Sequence, residues 1–104
     1  MSEKHHIEKV VCDLAEAHGW FVRKVAWAGR RNAPDRIFAK REGTENRQVW
    51  IEFKDRGKSA RSTQSSEHRE MAAAGMDVHV CDSIRSACAI LNLPFTPDPL
   101  RPHL

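Results

Sequence analysis

An α/β sandwich around one mixed sheet is the fold class this sequence predicts, on three observations. Helical and strand periodicities succeed one another in the order helix, three strands, helix, strand, helix. Hydrophobic residues make up 40 % of the chain and charged ones 30 %, the balance of a globular domain. A length of 104 residues allows one modest core and not two.

Each element has its own signal. Residues 4–18 place Ile7, Val10, Val11, Leu14 and His18 at helical spacing, and Gly19 is positioned to end the helix. The segment 20–26, WFVRKVA, is rich in the aromatic and β-branched types of a strand. Gly29 then opens a basic loop, GRRNAP, closed by Pro34, and DRIFA at 35–39 forms a second strand. A polar hairpin loop, REGTEN, leads into the clearest strand, QVWIEFK at 48–54. The following DRGKSAR reads as a loop. Ser62 or Thr63 would cap a helix running to about Ala74, with Gly75 as its stop. DVHVC at 77–81 alternates as a last strand. Asp82 or Ser83 would cap a closing helix that buries Ile84, Ala87, Cys88 and Leu91. The domain so defined covers residues 1–93. From residue 94 to 104 the tail has four prolines and cannot continue a helix. It is expected to be extended or disordered, with Phe95 and Leu100 available to dock on a partner subunit.

Composition excludes some classes. No apolar run approaches the roughly 20 residues that span a bilayer. MSEKHHIEKV lacks the apolar core of an export signal, which predicts a cytoplasmic protein. The odd set Cys12, Cys81 and Cys88 reads as reduced core thiols. His5 and His6 adjoin no cysteine at zinc-ligand spacing. Neither a Gly-rich phosphate loop nor a Ser/His/Asp set is present, so no nucleotide cofactor is expected.

Net charge is only +3, but it is unevenly spread. Arg23, Lys24, Arg30, Arg31 and Arg36 surround one acid, Asp35. Lys54, Arg56, Lys58 and Arg61 surround another, Asp55. Such clusters suit a polyanion, although charge alone fits a solvated basic surface equally well. Trp27, beside the basic loop, would either stack on a base or pack internally.

The chemistry concentrates in QVWIEFK. Side chains alternate across a sheet, so Val49, Ile51 and Phe53 share one face, and Trp50, Glu52 and Lys54 the other. Opposite charges on one face of an apolar strand fit an exposed salt bridge. They also fit a site, since a buried charge needs a partner or a metal. Asp35 opens DRIFA, and an antiparallel pairing of DRIFA with QVWIEFK brings it to the end that carries Glu52 and Lys54. Taken alone, Asp35 would equally be a turn or cap residue. Two carboxylates and an ammonium in one small volume are what metal-assisted phosphodiester cleavage requires. Hard Mg²⁺ or Mn²⁺ takes carboxylate oxygens, and a lysine steadies the charge that develops on phosphorus.

Pro34-Asp35 followed by Glu52-x-Lys54 resembles the PD-(D/E)xK nuclease signature. The longer run IEKVVCDLAEAHGW, RKVAWAGRRNAPDRIF and VWIEFKDRGKSARSTQSSEHREMAAAG resembles the VRR-NUC (virus-type replication-repair nuclease) family over about residues 6–85. The resemblance implies a restriction-endonuclease-like core and Mg²⁺- or Mn²⁺-dependent DNA endonuclease activity. By analogy with the family, the substrate would be branched DNA such as a four-way junction, cut by a homodimer in a bacterial or phage-infected cell. It implies Asp35 and Glu52 as metal ligands, the Phe53 carbonyl as a third, and Lys54 as the catalytic lysine. Glu8 would contact the metal or its water, and Gln64 would orient the site; without the family both would be ordinary helix-surface residues. Lys24 would contact phosphate, with Arg30, Arg31, Arg36, Arg56 and Lys58 as further DNA contacts. One departure stands out: Asn32 occupies the place of the family's usual glycine, and asparagine tolerates positive φ better than most residues. A non-catalytic DNA-binding module on the same fold is the alternative. It predicts a lost acid or lysine, and none is lost. An RNA-directed nuclease is a third possibility, as no residue visibly reads a 2′-hydroxyl.

Overall fold

A computed structural model describes residues 2–96 and Leu100. Its elements are α1 (Glu3–Ala17), β1 (Phe21–Lys24), β2 (Arg36–Glu42), β3 (Glu45–Phe53), α2 (Ser62–Ala73), β4 (Asp77–Cys81) and α3 (Ile84–Leu91). The strands form one sheet in the order β1-β2-β3-β4. The first two pairings are antiparallel and β3 with β4 is parallel, which requires the α2 crossover. The α/β class and the mixed four-stranded sheet are those expected.

Local chemistry explains the helix ends. The Ser2 hydroxyl accepts the His5 N–H at 3.2 Å and caps α1. The Ser83 hydroxyl accepts the Ser86 N–H at 3.0 Å and caps α3. Neither Ser62 nor Thr63 caps α2, because Arg61 takes the N-cap position and Ser62 is already helical. The Gln64 side chain reaches back instead, its Oε1 accepting the Arg61 N–H at 3.2 Å.

Pairing, rather than composition, fixes the strand ends. REGTEN is not a loop: Arg41 pairs with Asn46 and Glu42 with Glu45, leaving a two-residue turn at Gly43-Thr44. Gly43 has φ +61° and Thr44 is not in the positive-φ region, as a primed hairpin turn with glycine first requires. Polar residues are tolerated in strands here because the hairpin end is largely solvated. β1 stops at Lys24, shorter than expected, because its partner β2 begins at Arg36.

The core lies between the sheet and the α1/α3 layer. Val22, Phe38, Val49, Ile51 and Phe53 meet Ile7, Val11, Ala15, Ile84, Ala87 and Leu91 there. Phe38 and Phe53 make an edge-on contact with centroids 6.5 Å apart. The three cysteines are free and buried, and burial pushes the Cys12 and Cys81 thiols up to about 11. Phe95, expected to await a partner subunit, packs against this chain's own core. Leu100 is exposed, while residues 97–99 and 101–104 of the expected tail lie outside the described residues. Among the described residues no helix is long and apolar enough to cross a membrane.

Candidate active site

The β2–β3 register builds the site. Arg36 pairs with Ile51, so one step further out Asp35 stands across from Glu52, at the end of β3. The chain reaches that point through Asn32, whose φ is +70°, and through the buried Pro34. The positive φ is the conformation expected of the residue in the family's glycine place. Asp35 is fixed by the Phe53 N–H, which donates to its Oδ2 at 2.7 Å. A strand residue's N–H and C=O point to the same side. The Phe53 carbonyl is therefore directed toward Asp35, beyond the start of β2.

Glu52 is 2 % exposed. Its Oε2 lies 3.4 Å from Lys54 Nζ, while its Oε1 is buried and has no hydrogen-bond partner. Burial pushes this carboxyl above the usual glutamate range, and the nearby Asp35 adds to the shift; Lys54 and Lys4 oppose it. Lys54 in turn donates to Gln64 Oε1 at 2.9 Å. Gln64 thus ties the ammonium to the first turn of α2. One turn on, His68 has its Nε2 buried without a partner. Burial, and then the charge of Lys54, lowers its pKa and favours the neutral imidazole.

The donor set fits a small hard cation. An unpartnered buried carboxylate oxygen, a second carboxylate opposite and a main-chain carbonyl on the same side are the ligands such an ion takes. They are also costly to leave unpaired without one. Among the described residues no three His, Cys, Asp or Glu side chains come together as a ligand set. The site therefore offers two carboxylates, and Glu8 does not join them as a third.

Glu8 is instead committed elsewhere. It is buried, accepts Arg36 Nε at 2.6 Å and has Lys24 Nζ at 3.9 Å. Arg36 shares the face of Ile51, toward α1, so the expected phosphate contact is engaged inside the protein. Lys24 keeps its ammonium end in solvent. Arg30 is exposed and paired with Glu67 at 3.1 Å. Arg31, Arg56 and Lys58 are exposed on the loops flanking the carboxylates. Trp27 packs on Trp50 with ring centroids 5.7 Å apart, so packing accounts for much of its surface.

The sequence reading missed Lys4. Its Nζ is 3.6 Å from Asp35 Oδ2, and its backbone N–H donates to Asp55 Oδ1 at 2.8 Å. A signal existed: Lys4 lies four residues before Glu8, on the same face of α1.

No protein-family model and no curated protein matches the chain. A solved structure described as a VRR_NUC domain is similar to it, with a TM-score of 0.77 and 25 % sequence identity. The similarity covers 88 % of this chain and 97 % of that one. With the sheet, the crossover helix and the Asp35–Glu52–Lys54 arrangement already in place, the chain has the VRR_NUC fold, a nuclease-type fold, in agreement with the resemblance carried by its sequence.

Proposed function

We propose that this protein is a divalent-metal-dependent DNA endonuclease that hydrolyses phosphodiester bonds, with Asp35, Glu52 and Lys54 at its centre. The observation that carries the reading is the buried Glu52 Oε1, without a partner, beside Asp35 and Lys54. A buried carboxylate oxygen without a protein partner calls for something else to complete its coordination, and a cation between two carboxylates does so. Asp35 and Glu52, with the Phe53 carbonyl, would hold Mg²⁺ or Mn²⁺. That ion supplies Lewis acidity toward a phosphate oxygen and makes water more acidic.

The chain's own residues do the rest. The Phe53 N–H fixes the Asp35 carboxylate at the end of β3. Gln64 holds the Lys54 ammonium beside the carboxylates, where it stabilises the negative charge that grows on the phosphoryl group. His68, favoured as neutral behind Lys54, adds no competing positive charge. Lys24, Arg31, Arg56 and Lys58 rim the site and neutralise the backbone phosphates of DNA. Glu8 acts one step back, holding Arg36 at the base of Asp35. Branched DNA such as a four-way junction is the substrate class, and a two-fold homodimer is the working form, since it sets two sites at a fixed spacing. Both follow from likeness to the family.

The test is cleavage of labelled junction, flap, nicked, duplex and single-stranded DNA with Mg²⁺, Mn²⁺ or EDTA. Wild type is run beside Lys54→Ala. The expected result is metal-dependent cutting, reduced at least ~10²-fold by the substitution while DNA binding persists. Binding without cutting in either metal would leave a DNA-binding module and end the enzyme reading.

A further inference from the structure

The first turn of α1 reaches Asp35 through Lys4. Two hydrogen bonds clamp it to the loop after β3: the Lys4 N–H to Asp55 Oδ1 at 2.8 Å, and the Arg56 N–H to Glu3 Oε1 at 2.6 Å. The clamp aims the Lys4 side chain, which is 29 % exposed, at Asp35. Its ammonium stands 3.6 Å from Asp35 Oδ2, an ion pair longer than a hydrogen bond, and it also offsets the charge of Glu52. Lys4 therefore acts on the same two carboxylates that a divalent cation would take. A lysine ammonium and a divalent cation beside the same oxygens repel each other, and of the two lysines it is Lys54 that has a second anchor, at Gln64 Oε1. The lysine stem is long and flexible, and its head is already partly in solvent, so yielding needs only a rotamer change.

We propose that Lys4 is an exchangeable counter-ion: it neutralises Asp35 and Glu52 in the metal-free protein and turns to a phosphate of the bound strand when a divalent cation takes the carboxylates. The inference rests on the nuclease reading and adds to it a second lysine that reaches the substrate only in the metal-loaded state. Lys54 differs, because Gln64 Oε1 accepts a hydrogen bond from its ammonium at 2.9 Å and anchors it independently of the carboxylates.

Titration calorimetry with Mn²⁺, without DNA, tests the exchange. Lys4→Met should bind Mn²⁺ roughly threefold to tenfold more tightly than wild type, since no like charge has to move aside. Lys4→Arg should stay near wild type. Lys9→Met serves as the control on the same helix, because Lys9 is exposed and pairs with Asp13. A second measurement uses duplex DNA with Ca²⁺ or with EDTA. Lys4→Met should lose roughly threefold to tenfold in DNA affinity with Ca²⁺ and little in EDTA, where Lys4 is held by Asp35. Equal Mn²⁺ affinity in wild type and Lys4→Met overturns the role of Lys4 and leaves the metal centre standing. The same holds for a loss of DNA affinity that is equal in Ca²⁺ and EDTA. If wild type binds no Mn²⁺ and cuts no DNA, the nuclease reading fails and the exchange fails with it.

Discussion

Two buried glutamates, Glu8 and Glu52, sit within one small region and are treated very differently. Glu8 is 5 % exposed and has a short charge-assisted bond to Arg36, with Lys24 nearby. Glu52 is 2 % exposed, keeps one oxygen without any partner and shares its space with another carboxylate. Glu8 is satisfied by the protein and braces it. Glu52 is left incomplete, and its carboxyl is pushed upward by burial and by Asp35. Burial alone, then, does not mark a site. The mark is a buried charge whose protein partners do not suffice, a local conflict of the kind that concentrates at functional sites.

The largest effect that would sharpen this contrast is on activity. Glu52→Gln should reduce cleavage by ~10³-fold, the scale of losing a group that acts on the transition state. The same variant should be more stable without metal, by ~1 kcal/mol or about 4 °C in Tm, because the buried charge is gone. Calorimetry on the metal-free proteins checks it, and a lower Tm for the variant would break the comparison. Next comes Glu8→Gln, which strips the part-buried Arg36 of its counter-ion. It should cost about 2 kcal/mol of stability, a value discounted for the solvent that reaches Arg36. Urea denaturation measures this. A stable Glu8→Gln protein that has lost Mn²⁺ binding would instead place Glu8 among the ligands.

The pH dependence is a smaller effect. Glu52 is raised in the folded state, so as pH climbs past about 4.5 the unfolded chain releases that proton first. Metal-free stability should therefore fall as pH rises through the interval between the ordinary and the raised value. The Glu52 contribution to this slope should disappear in Glu52→Gln and be offset by Mn²⁺. Denaturation midpoints taken across pH 4 to 8 would show it. Smallest is Gln64→Ala, which frees Lys54 and the Arg61 N–H together. About tenfold lower kcat, with DNA affinity nearly unchanged, is expected for loss of a positioning contact. An unaltered kcat would mean that Glu52 alone suffices to hold Lys54.

Much of the site was legible in the chain. The alternation in QVWIEFK places Glu52 and Lys54 on one face, because the strand period is two whatever the surroundings. The spacing of Ile84, Ala87, Cys88 and Leu91 marks the buried stripe of α3, and all four are buried. Asn32 was expected to tolerate positive φ because it stands where the resembled family has a glycine, and its φ is +70°. The extent of the β2–β3 hairpin was not legible, since Arg41, Asn46 and Glu45 are loop-like in composition and are held by the ladder. Nor was the docking of Phe95 on the chain's own core, which depends on where α3 ends.

By itself the sequence determined whatever local periodicity and residue chemistry dictate: the order of elements, their inward faces, and two acids and a lysine gathered at one end of a strand pair. The meeting of Asp35 with Glu52 and Lys54 followed from the expected antiparallel pairing of their strands, and the register agrees. Only the tertiary structure decided the other charge pairs: Glu8 is matched to Arg36 across two elements, and Lys4 reaches Asp35 from the first turn of α1. Electrostatic pairing depends on distances and burial in three dimensions, and no spacing along the chain encodes either.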